Sequence, residues 1–226
     1  MKKQTLLALL CCLLTVYSVA QDCKTFYYLQ NNKTIEMTIY NKKGDESGKQ
    51  VYTVTGVSNS GGATTGNINS EMFDKKGKSI GKAKGTIQCK GGVMMVDMKM
   101  NLAPQQQEQF ANADAKAENL YMEYPSSMKA GDKLKDASMD LEIDNSGMKQ
   151  SVKMVISERS LEGKESVTTT AGTWECFKIT YKGKITIRTV GIGIPVNVDG
   201  TEWFAPGFGV VKTQSKHGGT AITAIK

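Results

Sequence analysis

Histidine is nearly missing from this chain of 226 residues, His217 being the single one. Imidazole is the usual general base and the commonest zinc ligand, so its scarcity excludes multi-histidine metal sites and leaves little for histidine-based acid and base work. Arginine is almost as scarce, with only Arg159 and Arg188. A nucleic-acid surface favours arginine along a continuous basic stripe with stacking aromatics. Here lysines are interleaved with acids, as in Lys42-Lys43-Gly44-Asp45-Glu46, and no nucleic-acid partner is expected. Aromatic residues make up 7% of the chain, too sparse for the two girdles of an outer-membrane barrel. A phosphate loop is also lacking, because Gly191-Ile192-Gly193 has neither a third glycine nor a following helix.

The start of the chain reads as a leader. Met1-Lys2-Lys3 is basic, Leu6 to Val16 is apolar, and Ser18-Val19-Ala20 places small residues where a signal peptidase cuts. The apolar run is shorter than the roughly 20 residues a membrane-crossing helix needs, so residues 1–20 are a signal peptide and the mature chain has no transmembrane segment. A lipid anchor is not expected, since Cys11, Cys12 and Cys23 follow Leu10, Cys11 and Asp22 rather than a small residue. Loss of Lys2 and Lys3 leaves 27 cations against 22 carboxylates, a net charge of +5. The mature cysteines are Cys23, Cys89 and Cys176, in a compartment where disulfides persist. Cys23 with Cys89 is the expected pair, because it would tie the N-terminus to a sheet, while Cys89 with Cys176, or no bridge, stays open. No two of the three have the short spacing of a zinc site, and no metal or cofactor is expected.

Two-residue alternation dominates residues 21–226, which read as one antiparallel β domain, in one lobe or in two meeting near 103–118. From Val93 to Leu102, Met94, Val96, Met98, Met100 and Leu102 share one face, which predicts a half-buried strand. Ser138 to Asp144 and Met148 to Ile156 alternate about Asn145-Ser146-Gly147 and predict a hairpin. One turn occurs twice, as Tyr40-Asn41-Lys42-Lys43-Gly44 and Phe73-Asp74-Lys75-Lys76-Gly77. The Asx residue suits the first corner of a type I turn and the glycine the left-handed position that closes it. The predicted flanking strands are Thr34 to Tyr40, Gln50 to Val57, Ala63 to Phe73 and Ser79 to Cys89. Pro104 to Glu118, rich in Gln and Ala, predicts one short helix or an ordered connection, with Ala111 to Lys116 open to a loop. Beyond the long strand Trp174 to Thr189, residues 190–198 predict an edge or bulged strand, because Pro195 cannot donate to a ladder. The fold class is therefore all-β, a curved antiparallel sheet (spiral β-roll or open barrel) of about twelve strands.

Two phrases, Thr170-Ala171-Gly172-Thr173-Trp174-Glu175-Cys176-Phe177-Lys178-Ile179 and Glu202-Trp203-Phe204-Ala205-Pro206-Gly207-Phe208-Gly209-Val210-Val211-Lys212, together with the doubled turn, resemble the TapB-like group of exported β-rich bacterial proteins, a domain family of unknown function. The resemblance implies a spiral β-roll or open barrel and a location in the periplasm or cell envelope of a Gram-negative bacterium. It brings no catalytic residues.

The chemistry-bearing residues are modest. Trp203, Phe204 and Phe208 are candidate ligand-binding residues, a lip that would grip an apolar molecule if exposed together; buried, they would simply pack a turn. The clustered methionines could hold copper(I), yet their phase with Val96 and Leu102 assigns them to the core. Asp140, Glu142 and Asp144 share a strand face, with Asp97 elsewhere, and a carboxylate-based hydrolase is one alternative. Cys176 with His217 is a poor nucleophile and base, because Cys176 lies among Trp174, Phe177 and Ile179. The expected function is a non-catalytic envelope protein, a binding or scaffolding module whose partner is an apolar small molecule or another envelope protein. A further alternative is an assembly or adhesion subunit acting through strand edges.

Overall fold

The computed structural model describes residues 23–110, 113, 115–116, 120–145 and 147–226, and the expected leader lies outside them. The strands are β1 (Thr34–Asn41), β2 (Glu46–Ser60), β3 (Ala63–Asp74), β4 (Ser79–Lys90), β5 (Val93–Asp97), β6 (Ala115–Lys116), β7 (Tyr121–Pro125), β8 (Ala137–Asn145), β9 (Met148–Thr169), β10 (Gly172–Thr189), β11 (Ile192–Asn197), β12 (Gly200–Ala205), β13 (Gly209–Ser215) and β14 (Gly218–Ile225). They form one sheet in the order β6-β8-β9-β10-β12-β13-β14-β1-β2-β3-β4-β5-β7, with β11 added to β10. Pairing of β14 with β1 joins the two halves of the chain, and the sheet curls into a nearly closed, barrel-like antiparallel structure.

The doubled turn is built as its residues dictate. Asn41 Oδ1 accepts the N–H groups of Lys43 and Asp45 at 2.8 and 3.1 Å, and Asp74 Oδ1 accepts those of Lys76 and Lys78 at 2.8 and 2.9 Å. Gly44 and Gly77 take φ of 85° and 79°, which side chains resist. Each hairpin carries its bulge at the matching aromatic, between Ile39 and Tyr40 and between Met72 and Phe73.

The inward faces make one core, with Ile35, Val54, Ile68, Leu141, Val152, Ile179 and Phe204 almost fully buried. One end is plugged by the N-terminal segment. Phe26, Tyr28 and Leu29 are buried there, and a disulfide joins Cys23 to Cys89 with Cα atoms 5.5 Å apart. At the β9 bulge the alternation changes phase. Val152, Met154 and Ile156 are buried, then Arg159 and Leu161, because Glu158 has φ of 51° and spends one residue without advancing the pleat.

Two expectations are corrected. The strand predicted through Leu102 stops at Asp97, whose carboxylate accepts the Lys99 N–H at 2.9 Å and starts a 3-10 turn over Met98–Asn101. The predicted helix is shorter, α1 running over Pro104–Gln109, with Ala115–Lys116 already in strand β6. Pro104 opens it as expected, but Phe110 is its only large apolar anchor.

Candidate functional site

Trp203, Phe204 and Phe208 do not form an exposed lip. They are 7%, 0% and 8% exposed. Phe204 stacks on Tyr124 at 4.8 Å, and Phe208 packs on Tyr27 and Trp174, both at 5.3 Å. Trp203 points to the other side of β12, where it donates its indole N–H to Glu165 and is covered by the Lys212 ammonium at 4.7 Å. Only Phe208 therefore packs against the N-terminal plug, while Phe204 packs on β7 and Trp203 lies on the opposite face of β12.

Beside Phe204 lies a buried ionic cluster that sequence reasoning missed. Arg159 is fully buried and pairs with Glu202 at 3.3 Å, while Tyr124 donates its hydroxyl to the same carboxylate at 2.9 Å. A second guanidinium nitrogen donates to the main-chain carbonyls of Glu123 and Lys135 at 3.0 and 3.2 Å. The guanidinium plane lies 4.8 Å from the Tyr124 ring. Glu123 belongs to β7 and Lys135 lies two residues before β8, so one side chain of β9 fastens the two ends of the curled sheet. Burial pushes the Glu202 carboxyl above its ordinary value, against the lowering influence of Arg159 and Tyr124. Tyr181 nearby is pushed up to about 12, by burial first and then by Glu202. The available sequence signal was a glutamate directly before Trp203-Phe204 in an otherwise apolar strand.

The open side of the molecule holds a cleft of about 1380 Å³ between β2–β4 and α1. Its wall carries Thr53, Asn67, Asn69 and Thr86, with Phe73 and Phe110 at its borders. Strand β5 pairs with β4 only from Ile87 to Lys90, so Gly81–Thr86 has no second strand neighbour among the described residues, and Lys82–Thr86 line the cleft. Across it, buried Gln107 donates its amide N–H to the Leu102 carbonyl at 2.7 Å, and its Oε1 has no partner among the described residues. A buried acceptor left unmade costs about 1–3 kcal/mol.

The remaining candidates are placed apart. Cys176 is buried, with its thiol pushed up to about 12 chiefly by burial. His217 lies in the β13–β14 turn near Gly200, which pairs with Tyr181, about 17 Å of strand from Cys176. Asp144 accepts the Gly147 N–H at 2.7 Å to close its hairpin. Asp140 and Asp144, four residues apart on one strand, are about 13 Å from each other, beyond the separation of a glycosidase pair. Met94 and Met98 are buried in the core. Among the described residues no helix is long and apolar enough to cross a membrane.

Known structures share this fold. A protein from Parabacteroides distasonis ATCC 8503, named as a lipoprotein, matches with a TM-score of 0.69 and 22% identity over 91% of this chain and 100% of that one. A protein from Bacteroides fragilis NCTC 9343, named as exported and as having a YmcC-like fold, matches with a TM-score of 0.66 and 21% identity over 87% of this chain and 96% of that one. At these identities the likeness is one of fold. No curated protein matches the sequence. Residues 30–222 match the DUF3108-like family model, which agrees with the expected membership of a bacterial β-rich family of unknown function.

Proposed function

The chain belongs to the DUF3108-like family, and on that premise we propose that it is an exported, non-catalytic envelope protein that binds an extended peptide segment in the cleft facing α1. The observation that carries this reading is the half-strand Gly81–Thr86, whose outer edge has no strand neighbour and borders a cleft of about 1380 Å³. An extended chain laid there can add a strand to β4, with main-chain hydrogen bonds supplying affinity and alternate side chains supplying selectivity. Export is supported by the leader-like residues 1–20 and by the Cys23–Cys89 disulfide, which persists in an oxidising compartment. A non-catalytic role is supported by the engagement of Asp97 and Asp144 in turns and by the burial of Cys176.

The test is native mass spectrometry of the mature protein taken from the periplasm, with hydrogen exchange read at Gly81–Thr86. A co-purifying mass of peptide size, slower exchange over Gly81–Thr86 than in refolded protein, and loss of both in Asn69→Trp are expected. A ligand-free mass, with the same exchange before and after refolding, overturns the reading.

A further inference from the structure

Six of the eight large apolar side chains exposed among the described residues, Met148, Ile187, Val190, Ile192, Ile194 and Val196, lie at the end of the sheet opposite the N-terminal plug. Pairing shows how they come together. Ile187 stands opposite Ile194 on β11 and Val152 on β9, and Ile185 opposite Val196 and Met154. Residues directly opposite in antiparallel strands share a face, so the patch is the core face of the sheet carried out beyond the body of the protein. Ile192 is 74% exposed there. The other face of this tongue carries Lys184, Thr186 and Arg188. Residues 182–198 contain Lys182, Lys184 and Arg188 and no acid. Glu158 holds Lys182 at 2.9 Å, while Lys184 and Arg188 are exposed and have no carboxylate partner among the described residues.

We propose that this tongue docks onto an anionic phospholipid surface, its isoleucine and valine face entering the boundary between headgroups and acyl chains and Lys184 and Arg188 meeting the lipid phosphates. Apolar burial and attraction to anionic lipid add in such a geometry. A second copy joined by strand addition at β11 fits less well, because that edge is interrupted. The Val198 N–H donates to the Gly183 carbonyl at 2.9 Å, so the polar groups of Val196, Ile194 and Ile192 turn towards β10, and the outward position at the centre of the edge falls to Pro195, which has no N–H.

Co-sedimentation of the mature protein with vesicles of three parts phosphatidylcholine to one part phosphatidylglycerol tests this. Binding to these vesicles, and weak binding to pure phosphatidylcholine, is expected. Ile192→Asp with Ile194→Asp, on a face already exposed, lowers the partition coefficient at least a hundredfold. Lys184→Gln with Arg188→Gln lowers it about thirtyfold, roughly fivefold per charge. Circular dichroism and the peptide-cleft readout stay unchanged in both variants, so failure here is separable from failure of the cleft. Absence of binding to the anionic vesicles, or equal binding by the Asp variant, overturns the proposal. So does a lipid-free dimer in sedimentation velocity that the Asp variant converts to monomer, which would make the patch an interface between copies.

Discussion

Arg159→Met asks whether the buried guanidinium holds the curled sheet together. Methionine keeps much of the volume but removes every polar contact, leaving the Glu202 carboxylate facing only the Tyr124 hydroxyl and the carbonyls of Glu123 and Lys135 without this donor. Breaking a buried pair from one side costs about 3–5 kcal/mol. At about 3 °C per kcal/mol for a domain of this size, 4 kcal/mol lowers Tm by about 12 °C. Glu202→Gln breaks the same pair from the other side and costs a similar amount, because the buried guanidinium loses its carboxylate and either Arg159 or Tyr124 faces an amide NH2. Urea unfolding followed by Trp174 and Trp203 emission gives both values. The pH dependence adds an independent check. Burial raises the folded pKa of Glu202 above the ordinary 4.5, so its contribution to stability is fully present below that ordinary value and is lost as pH rises through the folded one. Without Arg159 the folded value rises further, so the penalty of Arg159→Met shrinks as pH falls through that value towards the ordinary 4.5. In Arg159→Met/Glu202→Gln that pH dependence disappears. A penalty below about 1 kcal/mol, or identical pH profiles with and without Glu202, refutes the reasoning.

Two further outcomes follow from packing and topology. Replacing Cys23 and Cys89 by serine frees a loop with a sequence separation of 66, which the chain-entropy treatment converts to about 4 kcal/mol; denaturation midpoints with and without reductant, unchanged in the serine variant, measure it, and a loss under 1 kcal/mol speaks against the staple. Phe208→Ala removes a ring packed on Tyr27 and Trp174, so it lowers stability by about 3 kcal/mol while leaving any co-purifying ligand mass in place. Loss of that mass without loss of stability would restore Phe208 as a binding residue.

The strands were legible wherever one side of the sheet meets the core and the other meets water. Ala137–Leu141 alternates cleanly, Ala63–Asn69 does so over its first half, and the Asx-Lys-Lys-Gly turns announce their own hydrogen bonds through residue type. The end of β5 was not legible, because Met98, Met100 and Leu102 stay in phase while the chain leaves the ladder. Only the Asp97 carboxylate on the Lys99 N–H shows the change, and an aspartate in that position also reads as an outward residue of a strand. The long β9 hid for the same reason. Its second half carries Glu158, Arg159, Glu162, Lys164 and Glu165, a run that local charge assigns to solvent.

Arg159 shows what alternation cannot carry across a bulge. Continued in phase from Val152, Met154 and Ile156, the inward position would fall to Glu158; the left-handed φ of Glu158 moves it by one residue and turns Arg159 inward. A single-residue slip exchanges the faces of everything beyond it. The candidate site was misjudged through a related limit, since periodicity groups side chains on a face without saying whether anything covers that face. Phe208 is covered by Tyr27 and Tyr28, about 180 residues earlier in the chain, Phe204 by Tyr124, and Trp203 by Glu165 and Lys212. Ile192 and Ile194 obey the same alternation and lie at the end of the sheet where no such segment arrives among the described residues. Exposure of an apolar face is thus a property of long-range topology, and here it moves the surface to be explained from the aromatic turn to the tongue.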